Sequence, residues 1–445
     1  MTGQLAPSRG KEIVRLAVPA FLALVAEPMF LLADAAIIGH LGTSELAGLG
    51  VAAAVLQTLV GLCVFLAYGT TASVARRLGA GDVRGALGQG VDGLWLAVII
   101  GVPVTVLGIL LTTPLVEAFG ADTGTSGHAA TYLRLALLGT TPLLLMLAAT
   151  GVLRGLQDTR TPLVVAVAGN GINIVLNLLL VYGVGSFVGI GIAGSAIGTV
   201  LAQVASAAAL VWVVVRAARR ESAPLSPDRP GITAAARAAV PLVVRTLTLR
   251  AALLVTTYAV VVAGGGDATE LATHQLAFTI WTFLAFALDA LAIAAQAITG
   301  RYLGAGDVVG TREVTVQMIR WGIGAGVVCG VLLAAGSPLL GPLFSDDPKV
   351  HDLLVPVLVI AALGQPVAGV VFVLDGVLIG AGDGRYLAWA GVVVLAFTAP
   401  AILVTAFLTH SLVWVWVAFT VVFMGGRCWL LVRRARDDVW LVTGA

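Results

Sequence analysis

The sequence is poor in charge. Lysine occurs twice in 445 residues, as Lys11 and Lys349, and Asp, Glu, Lys and Arg together supply only 11% of the chain. Soluble domains carry about 25% charged residues, so this composition excludes a soluble enzyme or a nucleic-acid binder. The lysine shortage excludes ATP hydrolysis through a Walker-A loop as well, because neither lysine sits in Gly-x4-Gly-Lys-Ser/Thr. Cysteine is equally scarce. Cys63, Cys329 and Cys428 lie far apart in apolar stretches, without the spacing of a metal site or a disulfide framework, and read as packing residues. His40, His128, His274, His351 and His410 are scattered near helix ends, so no clustered His/Asp, Ser/His or Cys/His set suggests an enzyme or a cofactor. Net charge is +2, too balanced to imply an anionic partner.

What the chain has in excess is apolar surface: 59% of it is hydrophobic and the mean hydropathy is +1.04. Apolar runs occupy approximately 13–39, 46–75, 91–116, 129–153, 161–184, 189–215, 238–263, 271–300, 316–340, 353–379, 386–408 and 411–432. Crossing the ~30 Å hydrocarbon core takes about 20 residues per helix, and in lipid each run must satisfy its own backbone groups, so twelve membrane-spanning helices are expected. Of the 25 Lys and Arg, 21 fall at or near the termini and the even-numbered breaks, with Arg15, Arg320 and Arg427 a few residues inside the adjoining run ends; the odd-numbered breaks hold only Lys349, and Arg134, Arg245 and Arg250 make up the rest. By the positive-inside rule both termini are expected in the cytoplasm, and the expected location is the cytoplasmic (inner) membrane. Arg9, Lys11 and Arg15 precede the first run with no Ala-x-Ala-like site after it, so no cleaved signal peptide is expected.

The chain repeats itself. RRLGAGDV at 76–83 returns as RYLGAGDV at 301–308, GVLRGLQDTR at 151–160 as GVLIGAGDGR at 376–385, and Glu45-Leu46-Ala47 as Glu270-Leu271-Ala272, all at an offset of 225. Arg15 to Pro19 is echoed by Arg237 to Pro241 at 222. Six helices per half is an even number, so the halves share one orientation, as in transporters that rock two lobes about a substrate. The expected division is a six-helix lobe over 1–220, a proline-bearing cytoplasmic linker over 221–236, and a second six-helix lobe over 237–445. The shared glycines read as helix C-caps and the aspartates after them as N-caps of the next helix.

Acids inside the runs break the symmetry. Glu27, Asp34, Asp289 and Asp375 correspond at that offset to Ala252, Ala259, Val64 and Thr150. A carboxylate at bilayer depth costs roughly 3 kcal/mol, so such residues line a cavity, pair, or bind an ion. Glu27 and Asp34 lie two turns apart on one face of the first helix, and the fifth carries Asn170, Asn173 and Asn177 as a polar stripe whose counterparts are Leu395, Thr398 and Ile402. Such a set suits a proton, or a hard cation such as sodium held by carboxylate and amide oxygens; packing alone is the competing explanation, above all for Glu27 beside Pro28. In the second half Asp289 and Asp375 are balanced in number by Arg245 and Arg250, which reads as buried ion pairs or as a charged cavity wall. Tyr258, Phe278, Trp281, Phe283 and Phe286 either pack there or stack on a flat cationic ligand.

The stretches FLLADAAIIGHLGTSELAGLG, ALDALAIAAQAITGRYLGAGD and FVLDGVLIGAGDGRYLAWAG make nearly the whole chain resemble the MATE (multidrug and toxic compound extrusion) transporters, and look like their DinF-like branch. The resemblance implies an all-α integral membrane protein, a V-shaped pair of pseudo-symmetric six-helix bundles, exporting amphipathic, often cationic organic compounds in exchange for protons or sodium. It implies that Asp34 is the protonation or cation site, with Asn173, Asn177 and Thr199 near it. Some relatives carry a second acid where Asn177 stands, and NorM-like members an acid on the seventh helix where this chain has arginines; these departures favour protons over sodium. The expectation is a monomeric, ion-coupled antiporter in a lipid bilayer. The rival is a flippase for lipid-linked glycans or phospholipids, which calls for a cationic groove to which Arg245 and Arg250 would contribute.

Overall fold

The computed structural model describes residues 9–120 and 122–444. Among them twelve helices are long and apolar enough to cross a membrane: α1 Gly10–Gly39, α2 Thr43–Gly79, α3 Val83–Leu110, α4 Thr123–Gly155, α5 Arg160–Tyr182, α6 Ile192–Arg220, α7 Arg229–Ala263, α8 Ala268–Gly304, α9 Val308–Phe344, α10 Pro348–Gly380, α11 Gly384–Thr409 and α12 Leu412–Arg436. Each matches one apolar run of the sequence. At 1.5 Å per residue the shortest, with 23 residues, is about 35 Å long, so every helix outreaches the hydrocarbon core. The repeat is structural: α2 and α8, and likewise α4 and α10, start and end 225 residues apart. Beyond the helices there is a short hairpin, β1 (Gly183–Val184) against β2 (Phe187–Val188), between α5 and α6.

The repeated motifs are helix stops. Gly81 and Gly306 take positive φ (79° and 75°), and Asp82 and Asp307 follow them. Each aspartate donates its backbone N–H five residues back, to Arg77 and Tyr302 carbonyls, and accepts from the N–H three residues ahead, Gly85 and Gly310, both at 2.7 Å. One residue thus closes one helix and caps the next. At the other repeated turn Gly382 (φ 76°) corresponds to Gln157 (φ 66°), which holds the left-handed conformation without glycine's freedom.

Grouped by contacts, the chain forms two units. One is Leu22–Ala239; the other is the remainder, α1 up to Phe21 and the chain from Val240 on. This redraws the expected boundaries of 1–220, 221–236 and 237–445. The start of α1 packs with the second unit because buried Glu12 is ion-paired to Arg301 of α8, and Gly10 faces Gln317 and Trp321 of α9. The expected linker is half helix, since α7 begins at Arg229 with Pro230 in its first turn. Nor is the rest a free spacer: Trp95 Nε1 of α3 donates to the Leu225 carbonyl at 3.1 Å, and buried Asp92 accepts the Asp228 N–H at 3.2 Å. Ala223 and Leu225 close an apolar cluster with Leu87, Val91 and Ala218.

Each unit is built around one enclosed helix. Half of the apolar core of α4 and 67% of that of α10 are buried, against 17–44% for the other ten. Glycines permit the approach: a Cβ on Gly151 of α4 would meet Ala67 and Thr70 of α2, and on Gly376 or Gly380 of α10 would meet the α8 backbone at Ala292 or Gln296. Lipid tails are as apolar as the helices, so close van der Waals contact between small residues holds the bundle together.

Candidate functional site

In the Leu22–Ala239 unit, Asp34 is 3% exposed and is reached from three helices. Its Oδ1 accepts from Asn177 Nδ2 of α5 and from Ser195 Oγ of α6, both at 2.7 Å; Oδ2 accepts a longer bond, 3.3 Å, from the Tyr132 hydroxyl of α4. The amide of Asn177 also donates to Asn173 Oδ1 at 2.9 Å, and Asn173 Nδ2 to Thr199 Oγ1 at 3.0 Å. Asp34, Asn173, Asn177 and Thr199, four of the residues singled out from sequence, therefore form one network. Its donors are all neutral. Among the described residues no ion pair involves Asp34, and no group of three or more His, Cys, Asp or Glu is placed to hold a metal.

The helix register explains the meeting. Asn170 Nδ2 donates to the Ala26 carbonyl at 3.0 Å and the Tyr182 hydroxyl to the Ile37 carbonyl at 2.6 Å, so α1 and α5 run parallel, with Asp34 beside Asn177 between these two ties. Asn170 is thus a helix tie and not a partner of the carboxylate. Glu27, seven residues before Asp34 on the same face, is exposed and makes no hydrogen bond or ion pair among the described residues. Beyond Asp34 the site is closed. Ile37 and Ile38 of α1, Tyr132 and Leu133 of α4, Val181 of α5 and Ile192 of α6 form an apolar cluster at the end of α1 that leads into α2. The carboxyl group lies between a sealed apolar end and an end where an unpaired acid is accessible.

Two members of the network escape a reading of the sequence. Ser195 and Thr199 are four apart on α6, a short polar stripe of the kind that exposed α5, and that signal was present. Tyr132 has none: a tyrosine in an apolar run reveals nothing about the direction of its hydroxyl. Two oxygens are left with unused lone pairs. Asp34 Oδ2 holds one long bond, and Asn177 Oδ1 is buried without a partner among the described residues. That amide oxygen lies against Gly198 of α6, where any Cβ would be driven into it. Gly198→Ala is expected to push Asn177 off Asp34, costing about 1–3 kcal/mol of stability through overpacking. Gly171→Ala on α5, where a Cβ meets nothing within 4 Å, serves as the control. Thermal unfolding and efflux assays on the pair check this; equal behaviour of the two variants would refute the register.

The second unit differs in kind. Asp375 of α10 accepts from Arg245 of α7, through Nε at 3.2 Å and through Nη2, and from Arg427 Nη2 of α12 at 3.3 Å. Of the two readings of Asp375, a buried ion pair or a cavity wall, the structure shows the ion pair: Arg245 and Arg427 clamp it. Arg427 belongs inside α12, not with the arginines beyond helix ends, and its guanidinium also lies 5.5 Å from the Phe423 ring. Arg250 is exposed and Asp289 half-buried. Trp281 stacks on Phe278 (5.8 Å) and meets the edge of Phe419 (5.5 Å); Tyr258 is exposed and Phe286 half-buried.

The family model described as MatE matches residues 19–179 and 241–408, one segment in each half. The chain is 31% identical to protein DETOXIFICATION 44, chloroplastic, of Arabidopsis thaliana, over 92% of this chain and 78% of that protein. It is 29% identical to DNA damage-inducible protein F of Escherichia coli, over 97% and 94%. A MOP superfamily transporter from Pyrococcus furiosus superposes with a TM-score of 0.84 at 22% identity, covering 96% of this chain and 95% of that one, a likeness of fold.

Proposed function

Since the chain belongs to the MatE family of multidrug and toxic-compound efflux transporters, we propose that it is a proton-coupled antiporter in which Asp34 carries the coupling ion. The observation that carries this reading is the surroundings of Asp34: buried, bonded by three neutral donors, and paired with no base among the described residues. A buried anion without a cationic partner is costly, and binding a small positive ion relieves that cost. The proton belongs on Oδ2. Oδ1 already receives two short bonds, one from an amide that cannot reverse without flipping, whereas the group at Oδ2 is a hydroxyl. Tyr132 can accept from a protonated Oδ2 by turning its own hydrogen toward Thr199 or Ser195, which neighbour it.

Protonation converts charge-assisted bonds from Asn177 and Ser195 into ordinary ones of about half the strength. The grip of α5 and α6 on α1 loosens, and α1 carries Pro28, where the helical ladder lacks one N–H, between Asp34 and its cytoplasmic end. Entry of a proton from outside thereby shifts the α1–α5 packing and ejects a substrate held in this unit. The substrates are amphipathic, often cationic organic compounds, exported across the cytoplasmic membrane by a monomer with both termini in the cytoplasm. Sodium, held by Asp34 with the unused Asn177 Oδ1, is the alternative coupling ion. The flippase reading loses support because Arg245 is held by Asp375 and does not line an open cationic wall.

The test is efflux of a fluorescent organic cation from proteoliposomes under an imposed pH gradient and, separately, an imposed sodium gradient. Efflux is expected with the pH gradient alone. Drive by sodium alone would transfer the coupling role to sodium, and lipid scrambling without dye efflux would overturn the antiporter.

A further inference from the structure

The last two turns of α6 carry Trp212, Arg216, Arg219 and Arg220, spaced four, three and one apart, so that all four lie toward one side of the helix. The other side, Leu210, Val214 and Ala218, is buried, with Ala218 against Leu87 and Val91 of α3. With Val215 the four residues line an open depression on the face of α6. Trp212 is 60% exposed, and the Arg216 guanidinium lies over its ring at 5.2 Å. The three arginines are exposed and make no ion pair among the described residues, whereas Arg77, Arg245, Arg301, Arg312, Arg427 and Arg434 are each held by a carboxylate. Glu221 is the acid next to them in sequence.

We propose that this arginine–tryptophan face binds the phosphodiester headgroup of an anionic glycerophospholipid, with its acyl chains lying along α6. Arginine suits phosphate because its planar fork of donors matches two oxygens at once, and a tryptophan beside it sits at headgroup depth. The chains have a track. On the same side, toward the bilayer centre, the exposed residues are Ala209, Ala208, Ala205, Val204 and Leu201, mostly small, with no charge. From Arg216 to Leu201 the helix rises about 22 Å, the depth of one leaflet with its headgroups. Favourable placement of arginine at a helix C-terminus explains the charge but not the stacked indole or the apolar track. A free phosphate would use the arginines alone, so the track selects the lipid.

The full chain, purified in detergent, is titrated with dioleoyl phosphatidylglycerol, with dioleoyl phosphatidylcholine and with free glycerol phosphate, and bound lipid is counted by native mass spectrometry. Phosphatidylglycerol is expected to bind preferentially, with affinity reduced about 100-fold in the triple variant Arg216→Gln, Arg219→Gln, Arg220→Gln, and free glycerol phosphate should not displace it. Trp212→Ala keeps every charge and the helical core, and is expected to bind the lipid more weakly; it decides the matter if the triple variant does not fold. Equal binding of the two lipids, undiminished affinity in a folded variant, or displacement by glycerol phosphate would each overturn the proposal.

Discussion

Asp34→Asn is expected to insert and fold as the parent does and to show no gradient-driven efflux, its rate falling to that of protein-free vesicles. The substitution keeps the geometry. An asparagine Oδ1 accepts from Asn177 and Ser195 as the carboxylate does, and its amide can donate to the Tyr132 hydroxyl, so the α1–α4–α5–α6 network persists. What it removes is the capacity to alternate between charged and neutral. Losing a buried charge relieves a cost of roughly 3 kcal/mol at bilayer depth, so the unfolding temperature should hold or rise. Substrate binding should weaken, because the amide mimics the protonated state, from which the substrate is released. Wild-type efflux by a folded Asp34→Asn protein under either gradient would end the coupling mechanism, whatever the family.

Asp375→Ala should do the reverse: destabilise strongly while leaving the turnover of each folded molecule near normal. Side chains of Arg245, Asp375 and Arg427 are 13%, 8% and 11% exposed, so the carboxylate sits inside the bundle between two guanidinium groups. A buried pair contributes little beyond its own desolvation, but deleting one partner strands the other, at about 3–5 kcal/mol. Here one deletion strips a carboxylate from two arginines on different helices, α7 and α12, that α10 holds together. Thermal unfolding in detergent reads the loss. An unchanged midpoint would show that the clamp is not structural, and lost turnover in a stable protein would return Asp375 to the transport cycle.

These two acids looked alike in the sequence. Both lie in apolar runs, and neither has a counterpart at the 225-residue offset. Only the neighbours differ: Asp34 meets an amide and two hydroxyls, Asp375 two arginines. Part of the first set was legible: Asn173 and Asn177 repeat at helical spacing on the fifth run, and Thr199 entered through the family resemblance, whereas Ser195 did not. Tyr132 was not, and neither was the separation of Glu27 from its face-mate, since seven residues along one helix fixes a direction but not what occupies it. The balance of Asp375 by arginine was legible as a number; that Arg427 and not Arg250 supplies the second cation was hidden, because the two stand on different helices.

Composition and periodicity by themselves determined the number of helices, the duplication, the turns and the class of protein, because lipid obliges each span to satisfy its backbone alone and apolar length is visible residue by residue. Tertiary structure alone decided which buried acid lacks a countercharge, that α1 is divided between two units, and that the segment after α6 is tied to α3. Those outcomes depend on the rotation and depth of each helix against its neighbours, which arise from glycine-scale packing between segments distant in the chain and leave no spacing to read.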